Sequence, residues 1–139
     1  MYKRILVPLD NSPTDNVILK HIRPLLRLVG ASIVLVHVAD GYAARYQQQL
    51  NLEDSEEIRN DRQYLNQIKD ELTKEGFQVT ACLATGEPAR EILSTAEKED
   101  CDLIAMSTHG HRFWKDIFLG SVAEDLRHRT RIPILMIRA

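Results

Sequence analysis

The chain has 139 residues, 44% of them hydrophobic and 27% charged, with a formal net charge of −2. This is the make-up of a globular protein long enough to bury a core, and it fits a single domain spanning residues 1–139. It excludes several classes. No apolar run approaches a membrane span, the run within "MYKRILVPLD" is too short for a signal-peptide core, and no basic block supports a nucleic-acid partner. The cytoplasm is the expected location, and Cys82 and Cys101, which lack metal-ligand spacing, are expected to be reduced thiols in or near buried strands.

In chain order, Lys3 to Leu9, "KRILVPL", reads as a buried strand. In the "DNSPTD" that follows, Ser12 is placed as a helix N-cap, Pro13 as the first helical residue and Asp15 for a capping box. Ile18, Ile22, Leu25, Leu26 and Val29 then share one helical face, Pro24 should kink or shorten that helix, and Gly30 ends it. Ser32 to Val38, "SIVLVHV", reads as a strand buried on both faces, with His37 a hydrogen-bonded core histidine.

Gly41 to Asp54 shows no clear period. Glu56 to Glu75 is a second helix with Ile58, Leu65, Ile68 and Leu72 inward, closed by Gly76. Phe77, Val79, Ala81 and Leu83 alternate as in a strand with one more polar face. Pro88 opens a third helix with Ala89, Ile92, Leu93 and Ala96 inward. "DLIAMS" (Asp102 to Ser107) is a strand, Gly120 to His128 a helix, and "IPILMIR" (Ile132 to Arg138) a last strand with both faces apolar. The alternation predicts an α/β protein: a doubly wound five-stranded parallel sheet with helices on both faces.

Such a sheet binds ligands at the carboxyl ends of its strands, where strand order reverses. Two segments have unusual chemistry there, "VPLD" (Val7 to Asp10) and "MSTHG" (Met106 to Gly110), and they would line one crevice if the first and fourth strands are neighbours. Asp10 is read either as an acceptor for a sugar or base or as a cap on the turn into the first helix. Gly110 would let backbone N–H groups approach an anion, and Gly120-Ser121 would open a helix whose N–H groups face it. The other reading makes Gly110 a turn and Ser121 a simple N-cap. G-x-x-x-x-G-K-[ST] is absent, as is G-x-G-x-x-G after the first strand, and no base or metal cluster accompanies the glycines. Phosphate binding is therefore expected, and efficient phosphate chemistry is not.

"KRILVPLDNSPT", "VLVHV", "GEPAREIL", "CDLIAMSTHG" and "LGSVAEDLRHRTRIPILMIR" together resemble the universal stress protein family over essentially the whole chain. The nucleotide-binding branch of that family carries G-x-x-G-x9-G-[ST]. Gly110, nine residues, Gly120 and Ser121 match it, and Ser107 stands at the first glycine. The resemblance implies a Rossmann-like fold of the adenine nucleotide alpha hydrolase-like type and ATP across the crevice, with the presence of magnesium left open. It implies Pro8, Asp10 and Val38 at the adenosine end, Met106 and Ser107 near base and ribose, and Gly110, Gly120, Ser121 and Val122 at the phosphates. It also implies a homodimer through the last strand, acting as a regulatory stress-response module. Two alternatives stand beside it: a slow ATPase, and a nucleotide-free interaction protein with a vestigial site. Phe113 and Trp114, in the insert "HRFWKDIFL", either anchor it to its own domain or pack over a ligand or partner subunit. His109 and His111 read as hydrogen-bonding residues, and Arg112 and Lys115 as solvated or near the phosphates.

Overall fold

A computed structural model describes residues 1–39, 56–108 and 117–139, the first five of the last stretch by their backbone alone. The order of elements is β1 (Arg4–Leu9), α1 (Asp15–Val29), β2 (Ser32–Ala39), α2 (Glu56–Lys74), β3 (Val79–Thr85), α3 (Pro88–Lys98), β4 (Leu103–Thr108), α4 (Ile117–Arg129) and β5 (Ile134–Arg138). The strands form one sheet in the order β3-β2-β1-β4-β5, all neighbours parallel. The predicted doubly wound sheet is the fold observed, and β1 and β4 are neighbours at the point where strand order reverses.

The two faces of the sheet follow the two-residue period of its strands. Ile5, Val7, Leu9, Ile33, Leu35, Leu103 and Ala105 point to one side, where Ile18, Ile22 and Leu26 of α1 and Leu65, Ile68 and Leu72 of α2 cover them. Leu6, Val34, Val36, Val38, Ile104 and Met106 point to the other, against Ala89, Ile92 and Ala96 of α3 and Val122, Ala123 and Leu126 of α4. Each fully enclosed Ile or Leu stabilises the fold by about 1.5–3 kcal/mol, so the central strands hold the sheet from both sides.

Several local expectations change. α1 starts at Asp15, with Thr14 in the N-cap position and no side-chain cap, so Ser12 is not the cap. The Ser12 hydroxyl instead donates to Asp10 Oδ1 at 2.5 Å, which takes it away from the helix N–H groups. α1 runs through Pro24 to Val29, and Gly30 closes it in the left-handed region at φ 69°. β3, at a sheet edge, is half-buried along its whole length, with Val79 and Leu83 on one side and Cys82 and Ala84 on the other. Leu93 packs against the core from a half-buried position, and Thr95 joins Ile92 and Ala96 on the inward face of α3. α4 begins three residues before Gly120, because a glycine costs a helix only about 1 kcal/mol and the apolar residues before it are compatible with helix. The segment Gly41 to Asp54 lies outside the described residues.

Candidate functional site

The opening of the sheet begins with a proline. Backbone groups along β1 alternate between its neighbours: Ser32 N–H donates to the Lys3 carbonyl on the β2 side, and Asp102 N–H donates to the Arg4 carbonyl on the β4 side. By that alternation Arg4, Leu6 and Pro8 face β4. Pro8 has no N–H to donate. The ladder with β4 accordingly covers only Ile5↔Leu103 and Leu6↔Ile104. Towards β2 it continues to Leu9↔His37, and β4 stays paired with β5 to Thr108↔Arg138. The carboxyl half of the β1–β4 seam is therefore unpaired, at the switch point where open α/β sheets bind ligands.

Of the residues singled out in the sequence, Pro8, Met106 and Ser107 lie on the two strands that flank this opening, and Asp10 directly follows one of them. Pro8 is buried in β1, and Asp10 follows directly at the strand's end, half-buried. Val38 lies buried in β2, on the α3–α4 face with Met106. Met106 and Ser107 are 0% exposed, and the Ser107 hydroxyl lies 3.4 Å from the Thr14 carbonyl, to which it donates. Gly120 and Ser121 belong to the second turn of α4, and the Val122 side chain is buried beneath that helix. Gly110, together with His109, His111, Arg112, Phe113, Trp114 and Lys115, lies outside the described residues. Asp10 takes the turn role considered for it, accepting from Ser12, and it stands at the carboxyl end of β1 beside the opening.

Below that turn is a polar network that sequence reasoning missed. Asp15 accepts from the backbone N–H of Asp10 (3.1 Å) and of Asn11 (2.9 Å), and from the Tyr64 hydroxyl of α2 (2.6 Å). Asn11 sits in the left-handed region at φ 60°, a conformation Asn tolerates better than most residues. Its side-chain amide donates to Asp61 Oδ1 at 3.1 Å, and Asp61 Oδ2 lies 3.1 Å from His37 Nε2. His37 Nδ1 lies 2.8 Å from the Leu9 carbonyl, which only accepts, so Nδ1 carries a proton and donates. His37 is the hydrogen-bonded core histidine expected. The missed signal lay in the helical pattern: Asp15 precedes Ile18, Leu19 and Ile22, and Asp61 falls between Ile58 and Leu65, both on inward faces.

Burial pushes the Asp15 carboxyl up to about 6; the Tyr64 hydrogen bond opposes this, and the negative charge of Asp10 adds to it. Burial, then the hydrogen bond to the Asp15 carboxylate and its charge, push the Tyr64 phenol above its ordinary value. The two cysteines are free; burial raises the Cys82 thiol and pushes Cys101 up to about 11, so neither is a ready nucleophile at neutral pH. Among the described residues no group of three or more His, Cys, Asp or Glu is placed to hold a metal ion, and no helix is long and apolar enough to cross a membrane.

A parallel sheet in this order, helices on both faces and an opening at the switch point define a doubly wound α/β protein of Rossmann-like type. The family model of the universal stress protein family matches residues 1–138, and the chain belongs to that family. It is 32% identical to universal stress protein MJ0577 of Methanocaldococcus jannaschii over 99% of this chain and 96% of that one. The solved structure of MJ0577 superposes with a TM-score of 0.79, covering 100% of this chain and 97% of that one at 33% identity. Two further likenesses are of fold. One is a universal stress protein from Archaeoglobus fulgidus in complex with dAMP (TM-score 0.71, 23% identity, 98% of each chain). The other is a universal stress protein in complex with cAMP (TM-score 0.70, 14% identity, 99% of this chain and 97% of that one).

Proposed function

We propose that this chain is a single-domain, ATP-binding regulatory module of the stress response, acting in the cytoplasm as a homodimer. The observation that carries the reading is the unpaired β1–β4 seam, with Asp10 at its mouth and the Gly120-Ser121 end of the glycine motif on α4. An adenine nucleotide suits this setting. Pro8, Val38 and Met106 supply apolar surroundings, and the Asp10 carboxylate accepts hydrogen bonds from ribose hydroxyls or the adenine amino group. Ser107 lies beside the base and ribose. Gly110, Gly120, Ser121 and Val122 lie at the phosphates; because α4 starts at Ile117, Gly120 and Ser121 contribute close approach without a bulky side chain and a hydroxyl, not free helix N–H groups. Magnesium enters only as a companion of the triphosphate. The shared fold with proteins solved with dAMP and cAMP supports an adenine ligand.

β5 supports the dimer. It is an edge strand with Ile134, Leu135 and Ile137 half-buried and Met136 43% exposed. An apolar edge of this kind needs a cover, and the same strand of a second copy related by a two-fold axis provides one. Light scattering at micromolar concentration should give twice the chain mass, and Met136→Lys should return it towards the monomer.

The nucleotide reading is tested by denaturing freshly purified protein and identifying what it releases by anion exchange and mass spectrometry. Near-stoichiometric ATP or ADP is expected, with uptake of added ATP lost in Gly120→Val. One observation favours a competing reading: Ser107, in place of the motif's first glycine, is buried and bonded to Thr14. An empty protein that also refuses added ATP would make this chain a nucleotide-free interaction module.

A further inference from the structure

The turn from β1 into α1 rests on one enclosed carboxylate, and its three closest hydrogen-bond partners among the described residues are donors. Asp15 is 0% exposed; Oδ1 takes the Asp10 N–H, and Oδ2 takes the Asn11 N–H and the Tyr64 hydroxyl. Ionised, the group suits all three, because a carboxylate only accepts. Protonated, it becomes a donor at one oxygen. It must then give up a backbone N–H or turn the Tyr64 hydroxyl around, and it gains a hydrogen bond with the Asp10 side chain that favours the protonated form.

The groups facing this carboxylate come from several elements. Asp10 comes from the end of β1, and Tyr64 from α2, with Glu71 further along the same helix acting on Tyr64. β4 presents the neutral Ser107, bonded to the Thr14 carbonyl. The His37–Asp61 pair reaches the turn through the Asn11 amide.

We propose that Asp15 is a positioning residue for the nucleotide site: its carboxylate holds the turn in the form that presents Asp10 to the crevice, and its protonation releases the turn and engages Asp10 internally. Nucleotide affinity then falls as pH falls, although no nucleotide atom touches Asp15. The inference rests on the reading of the crevice as a nucleotide site. Burial brings the change to about pH 6, within reach of physiological acidification. By linkage, bound nucleotide lowers the Asp15 pKa by as much as protonation weakens binding.

The test is ATP titration by calorimetry from pH 5 to 8 on the full chain and on Asp15→Asn, a variant of the same shape that does not titrate. Taking the ratio of the two affinities at each pH cancels the titration of the ATP phosphates. The ratio is expected to change about tenfold across this range, the size of one charge-assisted hydrogen bond lost. Tyr64→Phe removes the bond that lowers the Asp15 pKa, so it should keep the dependence and move its midpoint to higher pH. Asp61→Asn, which alters the other titratable pair at the turn, should keep the midpoint.

In parallel, the backbone amide shifts of Asp10 and Asn11 should titrate near pH 6 in the native chain and stay flat in Asp15→Asn. A flat affinity ratio in a protein that binds ATP overturns the inference and leaves the nucleotide reading intact. So does a Tyr64→Phe midpoint that stays or moves down. Amides that titrate in a protein binding no ATP at any pH overturn the nucleotide reading itself, and the inference with it.

Discussion

At the amino end of β1, Asp102 accepts the backbone N–H groups of Lys3 (2.9 Å) and Arg4 (3.1 Å); at the carboxyl end, Asp15 accepts those of Asp10 and Asn11. The device is the same, a carboxylate bridging two consecutive amides, and the outcome is opposite. Asp102 is half-buried. Burial works against its charge, but the Lys3 and Arg4 N–H groups outweigh it and hold the carboxyl below its ordinary range. Asp15 is enclosed by α1, α2 and the turn, and there burial wins. Around Asp102 the sheet is also stitched tight. Arg4 pairs with Glu99 and reaches Ser32 of β2 and Thr80 of β3. Around Asp15 the ladder has already parted. One end of the strand is thus fastened at any ordinary pH, while the other depends on a proton.

Four expectations sharpen or break this contrast. The largest concerns Asp15. Its folded-state pKa lies above the unfolded value of 3.8, so the stability linked to it is full below about pH 4 and lost as pH rises through about 6. Urea unfolding should show Asp15→Asn gaining on the native chain by on the order of 2–3 kcal/mol between pH 4 and 7. A parallel pair of curves would sink the account. Asp102→Ala should cost about 2 kcal/mol at pH 7. Its folded pKa is depressed, so that deficit should shrink as pH falls below 4; a deficit that widened there would contradict the assigned direction.

Tyr64→Phe should cost about 1.5 kcal/mol at pH 7 and less at pH 4.5, where Asp15 is protonated in both proteins. Arg4→Gln is the mildest. The Arg4–Glu99 pair is about a third exposed on both sides, so about 1 kcal/mol or less is expected, fading in high salt. Thermal melts at two ionic strengths separate that outcome from a purely packing loss.

Most of the fold was legible because its signals are local and periodic. The strands alternate or run apolar, and the helices carry their inward faces at three- and four-residue spacing. The β1–β4 adjacency, which decides where the opening lies, followed from topology. The α1 start was misread for a physical reason: Ser12 and Asp15 both have capping chemistry, but Asp10 takes the Ser12 hydroxyl and Asp15 reaches back past it to residues 10 and 11. The polar network was missed because its members lie far apart in the chain, Tyr64 being 49 residues from Asp15 and Asn11 50 from Asp61. An acidic residue on the apolar side of a helix was the available clue, and it occurs twice. Pro8 falls inside the strand the sequence predicts; its consequence for the ladder lies in the direction of a missing N–H, which the neighbouring strand defines.

The two-rung join between β1 and β4 also bears on how the molecule comes apart. β1, β2 and β3 are laced along most of their length, as are β4 and β5, whereas the β1–β4 ladder has two rungs, Ile5↔Leu103 and Leu6↔Ile104, with the Asp102 and Glu99 contacts confined to its amino end. That line is a natural boundary between cooperative unfolding units. In native-state hydrogen exchange, the amides of β4 and β5 should open together, at lower free energy than those of β1 and β2. A molecule lodged across the boundary would merge the two units into one, raising the protection of strands it never touches.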